Sequence, residues 1–245
     1  MELLKRAQTQ YEQTGESSTT TNLADYGLGD IDCPICGNSG VITEKRDGLL
    51  YSRECACMKQ RRSLRNIRRS GMAGLLDKYT LGNYDTTAPE YKRLVEKGRE
   101  FIGSRDKWLY ICGRPGSGKT HLCIAICSEL LKSHEVKYMV WRDVAPRLKA
   151  AVNDTGEYMS ILAPLKNAEV LYIDDFLKGS VNQADINLAF ELINSRYNNN
   201  LRTIISTERS LEEVLSLDEA LGSRILEKSK GYCLSAPAVN WRLKK

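Results

Sequence analysis

The chain has 245 residues, of which 42% are apolar and 27% are charged, and its formal net charge is +5. These values are typical of a soluble globular protein with one full core and room for a small second module. No run of about 18 apolar residues is present, which excludes a membrane-spanning helix, and the polar N-terminus lacks the apolar core of a secretory leader. We therefore expect a cytoplasmic protein without a membrane partner, whose eight cysteines are thiols or metal ligands rather than disulfides.

Local charge divides the chain into three regions. Residues 1–57 carry five basic and nine acidic side chains, whereas residues 58–73 carry six basic and no acidic ones. We interpret residues 1–57 as an N-terminal module, residues 58–74 as a basic connector and residues 75–245 as the main domain. A polar tract at residues 13–22 is typical of mobile segments, and about the first 25 residues are predicted to be mobile.

Two close cysteine pairs in the N-terminal module have the spacing of a metal site. Cys33 and Cys36 precede Cys55 and Cys57, and the segment between the pairs has the pattern of a β-hairpin with a turn at Asp47-Gly48. Two such pairs can close a tetrahedral Zn²⁺ site, which would supply folding energy that so small a module lacks. The alternative is four free thiols. The other cysteines fall in strands or on apolar helix faces and are expected in the core, namely Cys112, Cys123, Cys127 and Cys233.

The basic connector predicts an anionic partner. A helix through it would place four cations on one face, namely Arg61, Arg65, Arg68 and Arg69. Lys59 and Arg62 would lie nearby. Such a cluster suits single-stranded DNA or an acidic protein surface, and the alternative is a solvated linker helix.

From about residue 75 onward, helical and strand patterns alternate. A helix is predicted at residues 87–102, where Thr87 and Glu90 have the spacing of a capping box, and Ser210 with Glu213 forms a second one. Buried strands are predicted at residues 108–112, 137–141, 170–174 and 203–207, with helical segments between them. This alternation predicts an α/β fold with a mainly parallel sheet flanked by helices.

The segment GRPGSGKT matches the phosphate-binding pattern G-x-x-x-x-G-K-[ST] between a predicted strand and a predicted helix. Its glycines let backbone N–H groups approach phosphate oxygens, Lys119 reaches the terminal phosphates, and Thr120 ligates Mg²⁺. The alternative is a glycine-rich turn that matches by chance. The predicted nucleotide-binding residues are Gly113, Arg114, Pro115, Gly116, Ser117, Gly118, Lys119, Thr120 and His121.

The segment VLYIDDF places two carboxylates at the end of a buried strand. We expect Asp174 to hold the Mg²⁺ through a water molecule and Asp175 to orient the attacking water. Related ATPases often have glutamate at the second position, and aspartate is shorter by one methylene. The alternative is a strand followed by an acidic turn.

The ordered motifs GRPGSGKT, VLYIDDF, TIISTE, LGSRI and NWR resemble those of AAA+ ATPases, and more narrowly of helicase loaders of the DnaC/DnaI type and the related IstB-type transposition ATPases. The resemblance covers about residues 70–245 and implies an AAA+ P-loop core. It implies a γ-phosphate sensor at Thr207, where the family usually has asparagine. It also implies an arginine finger at Arg224 that acts on a neighbouring subunit's ATP, and a second sensor at Arg242. For either arginine the alternative is a surface salt-bridge partner.

The same resemblance implies an adenine pocket near Leu76, Tyr79 and Tyr84, for which a core role is the alternative. The expected function is ATP-dependent loading of a replicative DnaB-type hexameric helicase onto single-stranded DNA, with weak ATPase activity in the isolated chain and with ATP, Mg²⁺ and Zn²⁺ as cofactors. The zinc module would bind the helicase, and ATP-bridged self-association would order the AAA+ domains. Two alternatives remain: an IstB-like ATPase that regulates a transposase, and a nucleotide-gated DNA-binding module with little turnover.

Overall fold

The computed structural model describes residues 32–46, 48–67, 73–105 and 107–243. The segment predicted to be mobile, the turn residue Asp47 and the connector residues Arg68 and Arg69 lie outside these ranges. For Arg65 and Arg242 the backbone alone is described. Among the described helices, none is long and apolar enough to cross a membrane.

The N-terminal module is a β-hairpin followed by a helix. Strands β1 (Val41–Arg46) and β2 (Leu49–Glu54) pair antiparallel, as the sequence predicts. Helix α1 (Cys57–Ile67) then runs through the first part of the basic connector. Arg61 of this helix is buried and donates to Asn38 beside the cysteines, so the first turns of α1 pack against the N-terminal module.

The main domain is a five-stranded parallel sheet flanked by helices, which confirms the predicted fold class. Its strands are β3 (Leu109–Cys112), β4 (Val136–Val140), β5 (Val170–Asp174), β6 (Arg202–Thr207) and β7 (Cys233–Ser235). Its helices are α2 (Ala73–Lys78), α3 (Pro89–Gly103), α4 (Lys119–Leu130), α5 (Trp141–Ala150), α6 (Thr155–Lys166), α7 (Gln183–Asn198), α8 (Leu211–Leu217) and α9 (Glu219–Lys228), followed by a 3₁₀ turn (Trp241–Leu243).

The strand order β4-β5-β6-β3-β7 brings the candidate motifs to one edge. Strand β3 lies between β6 and β7, although it is the first of these strands in the chain, and β5 lies on the other side of β6. In a parallel sheet all carboxyl ends point the same way, and ligands bind at that edge. The phosphate loop after β3 therefore meets the polar ends of β5 and β6.

Alternate residues of the central strands enter two apolar cores, one on each face of the sheet. Tyr110 packs in one core, whereas Leu109 and Ile111 pack in the other. Cys112, Cys123 and Cys127 are buried, as predicted. The prediction for the fourth cysteine was wrong: Cys233 is exposed, because β7 is a three-residue strand at the edge of the sheet.

The two predicted capping boxes have different outcomes. The side chain of Ser210 accepts from the Glu213 N–H, and Glu213 accepts in return from the Ser210 N–H, so this box is confirmed. The box at Thr87 was wrong. The Thr87 hydroxyl instead donates to Asp85 Oδ1 at 2.7 Å, and α3 begins at Pro89, whose fixed φ suits the first helical position.

Helix α1 packs against β4, an edge strand of the main sheet. Arg62 of α1 pairs with Glu54 of β2, and its Nε lies 3.8 Å from Oε2 of Glu135, the residue before β4. Uncovered edge strands present unpaired backbone groups to other chains. The cysteine-bearing module therefore also protects this edge of the sheet.

Candidate functional site

The phosphate loop has the backbone conformation that its sequence predicts. Gly116 and Gly118 have φ of +76° and +88°, which side chains with a Cβ rarely adopt. A Cβ at Gly118 would also lie 2.9 Å from the Tyr84 hydroxyl oxygen. Arg114 and Pro115 form the exposed crest of the loop, and Ser117 is buried beneath it.

Lys119 lies within the curve of the loop. Its Nζ donates to the carbonyl oxygens of Gly113 and Arg114, at 2.7 and 2.9 Å. Burial lowers the pKa of Lys119, while the carboxylates of Glu208 and Asp175 oppose that shift. The Lys119 ammonium group is hydrogen-bonded to backbone carbonyls of the loop and not to a carboxylate. It can therefore pair with a phosphate that enters the loop.

Asp174 is the centre of a polar network at the end of β5. Its Oδ1 and Oδ2 lie 3.3 and 3.4 Å from the Thr120 hydroxyl, which joins the two predicted Mg²⁺ ligands. The Tyr138 hydroxyl donates to Oδ2 at 3.2 Å, and the Ser206 hydroxyl donates to Oδ1. Neither Tyr138 nor Ser206 was predicted; both lie in predicted strands whose register the sequence does not give.

The second carboxylate of the pair is engaged by a lysine. Lys178 Nζ lies 3.1 and 3.3 Å from the two carboxylate oxygens of Asp175, and 2.8 Å from Oε1 of Glu208. Glu208 follows β6 directly and lies within the motif TIISTE, yet the sequence did not indicate a role for it. Lys178 was also missed. Its only signal is its position three residues after Asp175.

The Thr207 side chain is bonded to the loop after β5. Its hydroxyl is fully buried and donates to the Phe176 carbonyl oxygen at 2.7 Å. It also accepts from the Arg209 backbone N–H at 3.2 Å. The hydroxyl therefore fixes the loop after β5 in this structure.

The residues that the resemblance associates with adenine gather around His121. Tyr79 and Tyr84 pack against the His121 ring, with centroids 4.5 and 4.9 Å away. His121 Nε2 lies 3.2 Å from the Thr80 carbonyl oxygen, and burial lowers the pKa of the ring. Tyr84 is buried beneath Gly118, while Leu76 and Tyr79 are half-buried.

The C-terminal segment contacts the phosphate loop. The Trp241 backbone N–H donates to the Gly116 carbonyl oxygen at 3.0 Å, and the Asn240 side chain lies against the Gly116 Cα. The Trp241 indole N–H donates to the Tyr91 hydroxyl at 3.0 Å. The backbone of Arg242 thus lies near the loop.

Arg224 lies on α9 and packs on α7 rather than at the phosphate loop. Its Nε donates to Asn194 Oδ1 at 2.9 Å, and its guanidinium lies over the rings of Phe190 and Tyr197, 5.0 and 5.6 Å from their centroids. The side chain is half-buried. These contacts hold the guanidinium at the surface of its own chain.

The four predicted zinc ligands come together in the N-terminal module. Cys33 and Cys55 have sulfur atoms 3.7 Å apart, those of Cys36 and Cys57 are 3.6 Å apart, and all four lie within 4.8 Å of one another. A tetrahedral zinc site with Zn–S bonds of about 2.3 Å has sulfur atoms about 3.8 Å apart. The cluster therefore has the donor set and spacing of a Cys₄ site.

The pKa values of two cysteines in the cluster shift in opposite directions. Burial opposes ionisation of Cys36, yet the Gly40 N–H and the other thiols donate to its sulfur and lower its pKa to about 6. Burial raises the pKa of Cys57 to about 12, and its neighbours in the cluster add to the rise. A divalent cation would replace the thiol protons, because metal ligands must be deprotonated.

Arg61 supports this cluster from outside. Its Nη2 donates to Asn38 Oδ1 at 2.9 Å, and the same oxygen accepts from the Cys33 backbone N–H at 2.9 Å. Arg61 also donates to the sulfur of Cys57. The prediction that Arg61 belongs to an exposed DNA- or protein-binding face was therefore wrong, since the side chain is buried beside the cysteine sulfurs.

Comparison with known proteins places the chain among ATP-binding proteins. The family described as IstB-like ATP binding protein matches residues 39–235. An uncharacterized protein of Bacillus subtilis, YqaM, is 32% identical over 74% of this chain, but the match spans only 62% of YqaM. The phage-like element PBSX protein XkdC of the same organism is 28% identical over 86% of this chain and 85% of its own. The replicative helicase loader DnaC of Escherichia coli is 25% identical over 79% of this chain and 80% of its own.

Solved structures share the fold. The crystal structure of the DnaC helicase loader has a TM-score of 0.55 at 24% identity, covering 66% of this chain and 97% of that one. The crystal structure of DnaI has a TM-score of 0.52 at 20% identity, covering 68% and 92%. The sheet and its flanking helices match the AAA+ core. Since the family match extends over most of the sequence, the chain belongs to the IstB-like ATP-binding proteins.

Proposed function

We propose that this chain is an ATP-dependent loader that places a replicative hexameric helicase on single-stranded DNA. The observation that carries the loading function is the apolar surface of the cysteine-bearing hairpin. Leu49, Leu50 and Tyr51 are consecutive, and their exposed fractions are 63, 68 and 54%. Successive strand residues face opposite ways, so both faces of β2 present apolar groups, as protein-docking surfaces do.

The nucleotide site supports the ATP-dependent part of the proposal. Lys119 and the loop backbone would hold the phosphates. The Thr120 hydroxyl, which lies 3.3 Å from Asp174 Oδ1, would ligate Mg²⁺, and Asp174 would hold the ion through water. Mg²⁺ would neutralise charge on the transferred phosphoryl group. In this proposal the chain hydrolyses ATP, and Arg224 completes the site of an adjacent copy.

The cysteine module is the proposed helicase-binding part. A Cys₄ zinc site is closed and leaves no position for catalysis, so zinc would fix the hairpin rather than react. The name of the Escherichia coli relative, a replicative helicase loader, supports this client. The basic part of the connector is the proposed contact for single-stranded DNA, and the cytoplasm is the proposed compartment.

The match to the IstB-like ATP binding protein family favours one second candidate. This candidate is the regulation of a transposase, which the resemblance of the motifs to IstB-type transposition ATPases implies. Affinity purification of the full chain from its native cell, followed by mass spectrometry, distinguishes the two. Recovery of a hexameric helicase supports loading, whereas recovery of a transposase without a helicase would refute it.

A matched pair of cysteine variants then tests the role of the module. Cys55→Ser removes a cluster ligand, and we expect it to lose zinc and helicase binding while ATP binding persists. Cys233→Ser changes an exposed cysteine in the main domain and should retain all three properties. Equal helicase binding by both variants would contradict docking through the zinc module.

A further inference from the structure

Two carboxylates, rather than one, lie at the edge of the sheet where the nucleotide phosphates are expected. Asp175 follows β5, Glu208 follows the neighbouring strand β6, and Lys178 Nζ bridges them at 3.1 and 2.8 Å. These side chains are one-quarter to one-third exposed, although the Glu208 Oε1 that faces Lys178 is buried. The bridge lies at the carboxyl edge of the sheet, beside the phosphate loop.

The two carboxylates are not equivalent. Lys178 Nζ lies within 3.3 Å of both oxygens of Asp175 and therefore engages the whole carboxylate. Glu208 pairs with the same nitrogen through Oε1. Glu208 also has one more methylene, and therefore a longer reach from its strand. Asp175 has a backbone φ of +53°, so its short side chain leaves the strand in a turn conformation.

Glu208 also leaves the strand that adjoins the phosphate loop. The Gly113 backbone N–H donates to the carbonyl oxygen of Thr207, the residue before Glu208, at 3.2 Å. Strand β6 lies between β5 and β3, so Glu208 follows the strand next to β3, whereas Asp175 follows the strand beyond it.

We infer that Glu208 is the catalytic carboxylate that orients and deprotonates the attacking water, the role that sequence spacing predicts for Asp175. This inference rests on the proposed ATPase function. The water oxygen bonds to the γ-phosphorus, and the bond from that phosphorus to the β–γ bridging oxygen breaks. The bond's electron pair leaves with ADP. The water proton passes to the Glu208 carboxylate and from there to the released phosphate or solvent.

Lys178 is the positioning residue in this arrangement. It neutralises the mutual repulsion of Asp175 and Glu208, which would otherwise drive two adjacent carboxylates apart. Its own pKa is raised: burial alone would lower it, and the hydrogen bonds to Glu208 and Asp175 outweigh that effect. Lys178→Met should lower kcat, and Lys178→Arg should restore part of it, since arginine retains the charge.

The deciding experiment compares Glu208→Gln with Asp175→Asn in the full chain. Phosphate release with single-stranded DNA measures kcat, and titration with a fluorescent ATP analogue measures affinity. General-base catalysis contributes roughly 10²- to 10⁴-fold. We expect Glu208→Gln to lose at least about 100-fold in kcat with ATP affinity retained, and Asp175→Asn to lose less than about tenfold.

Glu212→Gln is the matched control, because it makes the same charge change at an exposed position in the first turn of α8. An equal or larger loss of kcat in Asp175→Asn, or an active Glu208→Gln, would overturn the assignment of the water to Glu208. A wild-type chain that binds ATP without releasing phosphate would instead refute the ATPase proposal itself, and with it any such role for Glu208.

Discussion

Replacing Arg61 tests whether the cysteine cluster holds a charged metal centre. Arg61 is 1% exposed and donates to Asn38 and to the sulfur of Cys57. Four thiolates around Zn²⁺ have a net charge of −2, which a buried guanidinium would partly compensate. Arg61→Met keeps an apolar stem of similar length and removes the charge. Asn38 keeps its bond from the Cys33 N–H, so the turn itself should persist.

The expected loss follows from this geometry. Opposite unit charges about 4 Å apart attract by about 4 kcal/mol at an effective dielectric constant of 20, and the cost of burying the guanidinium cancels part of that gain. Loss of an outer-shell partner typically weakens metal binding by about 10- to 100-fold. This range corresponds to about 1.4–2.7 kcal/mol of binding free energy.

Competition with a chromogenic chelator measures the zinc dissociation constant, after metal analysis has established about one Zn²⁺ per wild-type chain. Arg62→Met is the control. Its side chain is 40% exposed and pairs at the surface, where an ion pair contributes about 0–1 kcal/mol. Unchanged zinc affinity in Arg61→Met, or an equal loss in both variants, would refute compensation by Arg61. Freshly purified wild-type protein without zinc would remove the metal centre altogether.

Three further predictions concern the main domain. Lys119→Ala should abolish ATP binding by calorimetry without lowering the thermal midpoint appreciably, because Nζ contacts only loop carbonyls; retained affinity would contradict the site. Arg224→Ala should bind ATP yet lose roughly 10³-fold in hydrolysis, and mixing it with Lys119→Ala protein should restore partial turnover. Co-assembly without restored turnover would exclude a finger that acts between subunits. Ser210→Ala should cost about 1 kcal/mol and lower the midpoint by about 2–4 °C, whereas Thr87→Ala, outside any capping box, should lower it less.

The sequence predicted the parts of the site that depend on local pattern. The phosphate loop needs glycine at fixed positions for its backbone, and Lys119 and Thr120 follow at the start of a helix, so their placement is set within a few residues. The meeting of Thr120 with Asp174 was also predictable, because parallel strands bring their carboxyl ends to one edge. The cysteine pairs converge for a similar reason, since a hairpin returns the chain to its starting point.

The parts that were missed depend on which strands are neighbours. Glu208 meets Lys178 only because β6 lies beside β5, and a single sequence gives no strand order. The burial of Arg61 was missed because helical spacing groups like charges but does not show which face turns toward the cysteine thiolates. Thr87 was misassigned because Asp85 competes for its hydroxyl, a contact between residues too close in sequence for periodicity to resolve.

One helix connects the two candidate sites. Helix α1 begins with the ligand Cys57, places Arg61 beside the cluster and packs against β4. Strand β4 in turn provides Tyr138, whose hydroxyl donates to Asp174. The cysteine cluster and the carboxylate beside Thr120 are therefore joined through α1 and β4. In the proposed function, this connection would couple ATP binding to helicase binding. Such coupling is reciprocal: the factor by which a bound helicase changes ATP affinity equals the factor by which ATP changes helicase affinity. The proposed release of the client after hydrolysis requires that factor to differ from one, and α1 is the element that joins the two candidate sites.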